Sequence, residues 1–423
     1  MEKKTETTRH RRDKLLDGVI KNFFSPGEIK KFNRDFLSNS RTTGKTSLSK
    51  SSLQKNKEIA KQAEIDLLIT FAEGKLEKPK YLEFLLQLGQ YTVTAGINDH
   101  AYYILENIIT ETKGKADFEK IYADAALATG EMYSSQALWK QCIKYIRISN
   151  RIYKKINDLK GLVRSQNLVG AVYLEKGEII KSRYYFKKGL EAAHTLKDYE
   201  LMGISEVNIA ITFAYQNIYT SSLDYFKKAL INFEKIENLK QVANSYNNLG
   251  LLYSKINKPQ EAIVEYDRCA ALARKINFSQ MLAVAYNNKA FLLIKLKDFN
   301  LAESLAEEAL EISNRINSKI NIADIYCLKG IIQRNYKNYA LAEDYFYTSV
   351  RICREIRDDT HEIQAEYELA KLYMEKGQLS ESRKHFLIAL KYYKKIKARK
   401  QIKEIEKLLP SLRKRTSKQK FNC

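Results

Sequence analysis

The sequence predicts an all-α fold, a right-handed superhelical solenoid of antiparallel helix pairs, and three observations carry that expectation. The first is a forty-residue period between residues 121 and 400, because self-similarity at about 20–50 residues is the signature of a repeat architecture. The second is composition. Of the 423 residues 44% are apolar and only 4 are proline, while Leu, Ile, Ala, Lys and Glu are plentiful, which favours long helices over a sandwich or barrel. The third is turn chemistry: Gly177, Asn217, Asn257, Asn338 and Gly377 fall near mid-period, where residues that tolerate left-handed or turn backbone can join two helices.

The period is read in columns. In blocks beginning at Ile121, Gly161, Leu201, Gln241, Met281, Asn321 and His361, the tenth residue is Gly130, Gly170, Ala210, Gly250, Ala290, Gly330 and Ala370. The twenty-second (Cys142, Ser182, Ser222, Ala262, Ala302, Ala342, Ser382) and the twenty-ninth (Ser149, Gly189, Ala229, Cys269, Ala309, Ser349, Ala389) are also small. The twenty-sixth is Ile146, Phe186, Phe226, Tyr266, Ala306, Phe346 and Phe386, large in all but one block. Antiparallel helices approach closely only where small side chains face each other, and a large side chain one turn away fills the hole that remains. Helix A therefore runs through position ten, and helix B follows the turn, as in ALAEDYFYTSVRICREI, with apolar residues at helical spacing. Neither buries its apolar stripe by itself, so stacked pairs share one continuous core.

The ends depart from the columns. A weaker unit precedes the seven, with Leu88, Gly89 and Ala101 in a register shifted by one, and residues 53–76 read as a helix with Ile59, Ala63, Leu67 and Phe71 four apart. Before it, Arg41–Ser52 is a Ser/Thr-rich linker without core-forming residues. Ser25-Pro26-Gly27-Glu28 has the form of a capping box with proline at the first helical position, predicting a short helix to about Phe36. After the repeats, QIKEIEKLLPSL (401–412) reads as a capping helix stopped by Pro410. No structure is expected for residues 1–12 or 413–423. The chain thus divides into a basic segment (1–52), helices with a degenerate repeat (53–120), seven repeats (121–400) and a cap with a basic tail (401–423).

The segment NNLGLLYSKINKPQEAIVEYDRCAAL, Asn247–Leu272, places Leu249, Gly250, Tyr253, Ala262 and Tyr266 where the tetratricopeptide repeat has Leu-Gly, Tyr three residues on, and Ala and Phe in its second helix. The spacing resembles that family in a forty-residue form, similar to spindle-orientation adaptors, kinesin light chains and bacterial peptide-sensing regulators. The resemblance implies a solenoid whose A helices line a groove for protein partners.

Charge and chemistry narrow the function. The net charge is +23, but it gathers at the ends. Residues 1–60 hold 15 Lys+Arg against 7 Asp+Glu, residues 391–423 hold 13 against 2, and residues 61–390 hold 45 against 41. The basic termini suit solvated tails or weak, nonspecific contact with nucleic acid or an anionic membrane. The five cysteines, Cys142, Cys269, Cys327, Cys353 and Cys423, are dispersed and odd in number, which points to a reducing compartment rather than a disulfide framework. The N-terminus is charged from its second residue and no run of eighteen apolar residues occurs, so a cytoplasmic protein is expected. His10, His100, His194, His361 and His385 are scattered, and no metalloprotease, phosphate-loop or nucleophile-elbow motif appears. We expect neither catalysis nor a cofactor, metal or small-molecule substrate. Trp139, at the start of a B helix, and Tyr133, Tyr173, Tyr253 and Tyr373, which share position thirteen, read as packing residues.

The candidate working surface is the inner face of the A helices. Position eight carries Asn208, Asn248 and Asn288, and position seven Asn167, Asn247 and Asn287. Asparagine favours caps and turns over helix interiors, so its recurrence there needs a reason. Its amide both donates and accepts, which suits gripping the backbone of an extended peptide. The resemblance adds that related adaptors use asparagine at the position of Asn208, Asn248 and Asn288 to hold partner segments. The same asparagines could instead bridge neighbouring helices. Positions four and fifteen add Arg164, Asn244, Lys255 and Lys295, with Glu175, Asp324, Gln364 and Glu375 at the flanks, so the groove is mixed in charge. The expected role is an adaptor or scaffold binding an extended protein segment. The alternative is a peptide-responsive bacterial regulator with an N-terminal output segment, although residues 13–38 are short for a helix-turn-helix domain.

Overall fold

The computed structural model describes residues 14–40, 50–356, 358–396 and 398–419. The expectations for residues 1–12, for 420–423 and for most of the Arg41–Ser52 linker lie outside them. The chain forms two compact units, Met1–Val172 and Tyr173–Cys423. Every element of the described residues is helical, as an all-α tetratricopeptide-type solenoid requires.

The first unit contains α1 (Lys14–Phe23), α2 (Pro26–Ser40), α3 (Lys50–Glu73), α4 (Lys78–Thr94), α5 (Asn98–Thr112), α6 (Glu119–Ser135), α7 (Trp139–Lys155) and most of α8 (Leu159–Glu175). Ser25 and Glu28 form a reciprocal capping box at the start of α2: Ser25 N–H donates to Glu28 Oε2 at 2.9 Å and Glu28 N–H to Ser25 Oγ at 3.4 Å. Leu16 and Ile20, one turn apart on α1, are buried with Phe24, Phe32, Ile65 and Phe84. Gly89 repeats the small-to-large packing of the later units, since a Cβ there would meet Leu105 at 2.8 Å.

The second unit contains α9 (Ile179–Leu196), α10 (Tyr199–Tyr215), α11 (Tyr219–Lys235), α12 (Leu239–Lys255), α13 (Pro259–Lys275), α14 (Ser279–Lys295), α15 (Phe299–Arg315), α16 (Lys319–Asn335), α17 (Tyr339–Ile356), α18 (Asp359–Glu375), α19 (Leu379–Lys395) and α20 (Arg399–Gln419). Each A helix packs on its B helix, and successive A helices α12, α14, α16 and α18 also touch one another, which makes the A layer the more tightly spaced. The underlying step is twenty residues. Backbone φ is positive at Lys197, Asn217, Glu237, Asn257, Asn277, Lys297, Asn317 and Lys337, one per helix end. At all of these but Asn257, the chain reverses through paired bonds, such as Ile218 N–H to Phe213 O at 3.0 Å and Asn217 N–H to Ala214 O at 3.1 Å.

Three expectations need correction. The left-handed residue after α16 is Lys337, φ 64°, not Asn338. Asn338 follows it and bonds back to Gln333 through both its N–H and its side-chain Nδ2, each at 2.9 Å. The last helix does not stop at Pro410, and residues 413–419, for which no structure is expected from the sequence, belong to it. Helix α20 passes through Pro410 to Gln419, because only continued helical phase returns Leu412 to the face of Ile405, and both are buried with Phe386 and Tyr393.

The large residue at position twenty-six lies over the small one at position ten. A Cβ on Gly250 would meet Tyr266 Cε1 at 2.6 Å. The sequence columns missed a second pair of this kind, Gly203 with Phe233, where the approach is also 2.6 Å.

At the seam of α16 and α18 the core is polar. Asp358 caps α18 by accepting from the N–H groups of Thr360 and His361 at 3.1 Å, and Asp324 lies 3.4 Å from His361 Nε2. Burial lifts the Asp324 carboxyl to about 6, against the pull of His361 and with a push from Asp358. A carboxyl whose folded value is raised destabilises the fold as pH climbs from its ordinary value towards about 6, and the whole of that effect persists above. Asp324→Asn should therefore melt higher than wild type above about pH 6 and show no gain near pH ~3.5, as followed by thermal denaturation across that range.

Candidate binding surface

The nine residues expected at the groove fall into two groups. Arg164 and Asn167 belong to the first unit. There Arg164 lies 3.7 Å from Asp124 and 3.9 Å from Glu131, and burial raises the Glu131 carboxyl above its ordinary value. The other seven lie on α10, α12 and α14 of the second unit.

Within that group the hydrogen bonds follow the register between position seven of one repeat and position eight of the next. Asn288 Nδ2 donates to Asn247 Oδ1 at 2.9 Å, so this pair bridges α14 and α12. The residue in the same register opposite Asn248 is Val207, and opposite Asn287 it is Leu328. Neither can pair with an amide. Asn248 is half-buried, whereas Asn287 is only 9% exposed and its Oδ1 has no hydrogen-bond partner. On α12, Asn244 Nδ2 donates to Gln241 Oε1 at 3.0 Å, and Asn244 Oδ1 has no partner. Asn208 is half-buried on α10. A buried acceptor without a partner is costly in a dry interior, so acceptors of this kind call for a donor.

The lysines differ. Lys255 Nζ donates to the Ala214 carbonyl at the end of α10, 3.0 Å away, and lies 5.8 Å from the Tyr219 ring centroid, a favourable place for a cation at a helix C-terminus. Lys295, at the end of α14, is exposed.

Sequence reasoning missed the neighbouring row. Three residues beyond each position-eight asparagine stand Ile211, Leu251 and Phe291, on the same helix face. Leu251 is 45% exposed, and Ile211 and Phe291 are half-buried. The spacing of three was the available signal. One turn further on lie Tyr215, Lys255 and Lys295. The surface is thus three rows across three helices: amides, apolar side chains, then one tyrosine and two lysines.

Residues 201–275 and 281–355 match the family model described as tetratricopeptide repeat, so these stretches of the chain are tetratricopeptide repeats. In fold the chain is similar to several solved structures. A Rap protein complexed with Competence and Sporulation Factor is 14% identical, with 80% of this chain covering 99% of that one at a TM-score of 0.51. Aspartyl phosphate phosphatase F from Bacillus subtilis is 17% identical, with 81% of this chain covering 84% of that one at a TM-score of 0.52. A STAND protein with a tetratricopeptide repeat sensor from Pyrococcus horikoshii is 14% identical over 81% of this chain and 54% of its own, with a TM-score of 0.51. At these identities the similarity is one of fold. No curated protein matches the sequence.

The chemistry outside these rows is that of a packed scaffold. Cys142, Cys269, Cys327 and Cys353 are buried, and burial pushes the Cys142 thiol up to about 11 and Cys269 to about 12, far from nucleophilic at neutral pH. Among the described residues no helix is long and apolar enough to cross a membrane, and no group of three or more His, Cys, Asp or Glu is arranged to hold a metal ion.

Proposed function

We propose that the A-helix face of residues 201–320 binds an extended segment of a partner protein, and that the chain acts as a cytoplasmic adaptor or scaffold without chemistry of its own. The fold belongs to a class built for protein–protein interaction. The observation that carries the specific reading is the half-buried row of Asn208, Asn248 and Asn288 on three successive A helices, beside the apolar row of Ile211, Leu251 and Phe291. Amides take the backbone of an extended segment and apolar side chains take its alternate residues. We place the division of labour in the same terms: residues 121–400 bind, 53–120 and 401–423 close the array, and the basic segment 1–52 packs on 53–120 through Leu16, Ile20, Phe24 and Phe32.

A peptide-responsive regulator is the second reading. It is favoured by the fold shared with the Rap protein complexed with Competence and Sporulation Factor and by helices α1–α3 ahead of the array. In that reading the same rows receive a short peptide.

Asn208→Ala/Asn248→Ala/Asn288→Ala should leave helicity by circular dichroism unchanged while abolishing capture of the partners that wild type retains, compared by pull-down and mass spectrometry. Equal capture by both proteins would sink the groove reading. Sequence-selective shifting of duplex DNA by the intact chain, insensitive to moderate salt, would favour the regulator over the adaptor.

A further inference from the structure

The near-neutral body of the chain contains a helix that is strongly basic and has no acidic residue to offset it. Helix α7, WKQCIKYIRISNRIYKK, has six cationic residues and no acidic one. Lys140, Lys144, Arg147 and Arg151 recur at steps of four, three and four, which is a single line along a helix, and Lys154 and Lys155 extend it. All six are exposed, while Cys142, Ile146, Ser149, Ile152 and Tyr153 bury the opposite face in the first unit. Of the six, Lys155 alone has a carboxylate partner among the described residues, Glu119. Lys144 Nζ lies 5.6 Å from the Tyr145 ring centroid. Like charges at these spacings repel, so the row is held in an electrostatically unsatisfied state.

We propose that α7 is a docking face for an acidic segment of a partner protein, one that presents about one carboxylate per helical turn or per few extended residues. The breadth of the positive strip selects this partner. Beside it, α5 carries exposed Asp99 and half-buried Glu106, whose Oε2 accepts from Tyr145 O–H at 3.2 Å, and α6 carries Glu131. On this flank the positive strip therefore ends at α7. A duplex nucleic acid needs several phosphate contacts across a broader basic face, and its backbone would run over the carboxylates of Asp99 and Glu106 beside α7. A single acidic segment needs no more than the strip, and Arg147 and Arg151 offer planar forks matched to carboxylates.

The test uses the full chain and a fluorescent peptide about twenty residues long, with Glu at successive steps of four and three on an Ala/Gln background. Anisotropy at physiological salt should show binding that is at least about tenfold weaker in Lys144→Gln/Arg147→Gln/Arg151→Gln, with helicity retained. Lys391→Gln/Lys395→Gln, which removes charge near the basic C-terminus, should leave it nearly unchanged. Equal binding by wild type and the α7 variant, or no binding by wild type, would overturn the proposal. So would single-stranded RNA of equal charge binding wild type more tightly than the peptide and losing that binding in the α7 variant. The Asn208, Asn248 and Asn288 substitutions should not affect this peptide, which separates the strip from the amide groove.

Discussion

Phe346→Ala is expected to lower the unfolding free energy by about 3–5 kcal/mol, the usual range for truncating a fully buried aromatic. Phe346 has no exposed surface and packs across α17 onto α16, where Gly330 leaves room for it. A Cβ on Gly330 would stand 2.5 Å from Phe346 Cε1 and 2.6 Å from Cδ1, so Gly330→Ala should itself destabilise by about 1–3 kcal/mol through overpacking. The two changes should not add. With the ring removed, the methyl that Gly330→Ala introduces enters the space the ring leaves, and the chain already contains that arrangement one repeat earlier as Ala290 with Ala306, both buried. The double variant should therefore be less destabilised than the sum by about 1 kcal/mol or more. Denaturant titrations of the four proteins of this cycle test the argument, and strict additivity would show that the two columns are independent.

Arg334→Met should be similarly damaging, at about 3 kcal/mol, because it strands a buried carboxylate. Arg334 on α16 reaches α18: its Nη1 donates to Glu368 Oε2 at 2.6 Å and to the Glu368 carbonyl at 3.3 Å, and its Nε lies 3.4 Å from Glu375 Oε1. Glu368 is 5% exposed. Lys371 Nζ, 3.2 Å from Glu368 Oε1, keeps the loss at the low end of the range for broken buried pairs. Arg334→Met/Glu368→Leu removes both charges and should return to within about 1 kcal/mol of wild type. If the double variant were as unstable as the single, the loss would be one of packing rather than of an uncompensated charge.

Glu368 shows how far the sequence could be read. It occupies position eight, the column of Asn208, Asn248 and Asn288, whose polar run over three consecutive repeats was visible although Leu328 separates it from Glu368. What each member does was not. Asn288 bonds Asn247, Glu368 bonds Arg334, and Asn248 faces the register of Val207, because each outcome depends on a residue one repeat away. The apolar row of Ile211, Leu251 and Phe291 was equally legible as a spacing of three. Its exposure was not, since the same residue types two positions earlier, Ile209 and Leu249, are buried. Summed charge concealed α7 in another way: the acidic residues that balance it, such as those of α15, lie on other helices.

The sequence by itself determined the helix pairs, their forty-residue step and the interlocking of small with large residues. These are set by local propensity and by columns repeated in fixed register, which survive without knowledge of distant contacts. Tertiary structure alone decided which residue turns left-handed after α16, that α20 continues through Pro410 to bury Leu412, which amides are already bonded and which acceptors are left without a donor. Those outcomes turn on which neighbour, in many cases a full repeat away, comes within about 3 Å, and single-residue differences in that neighbour reverse them.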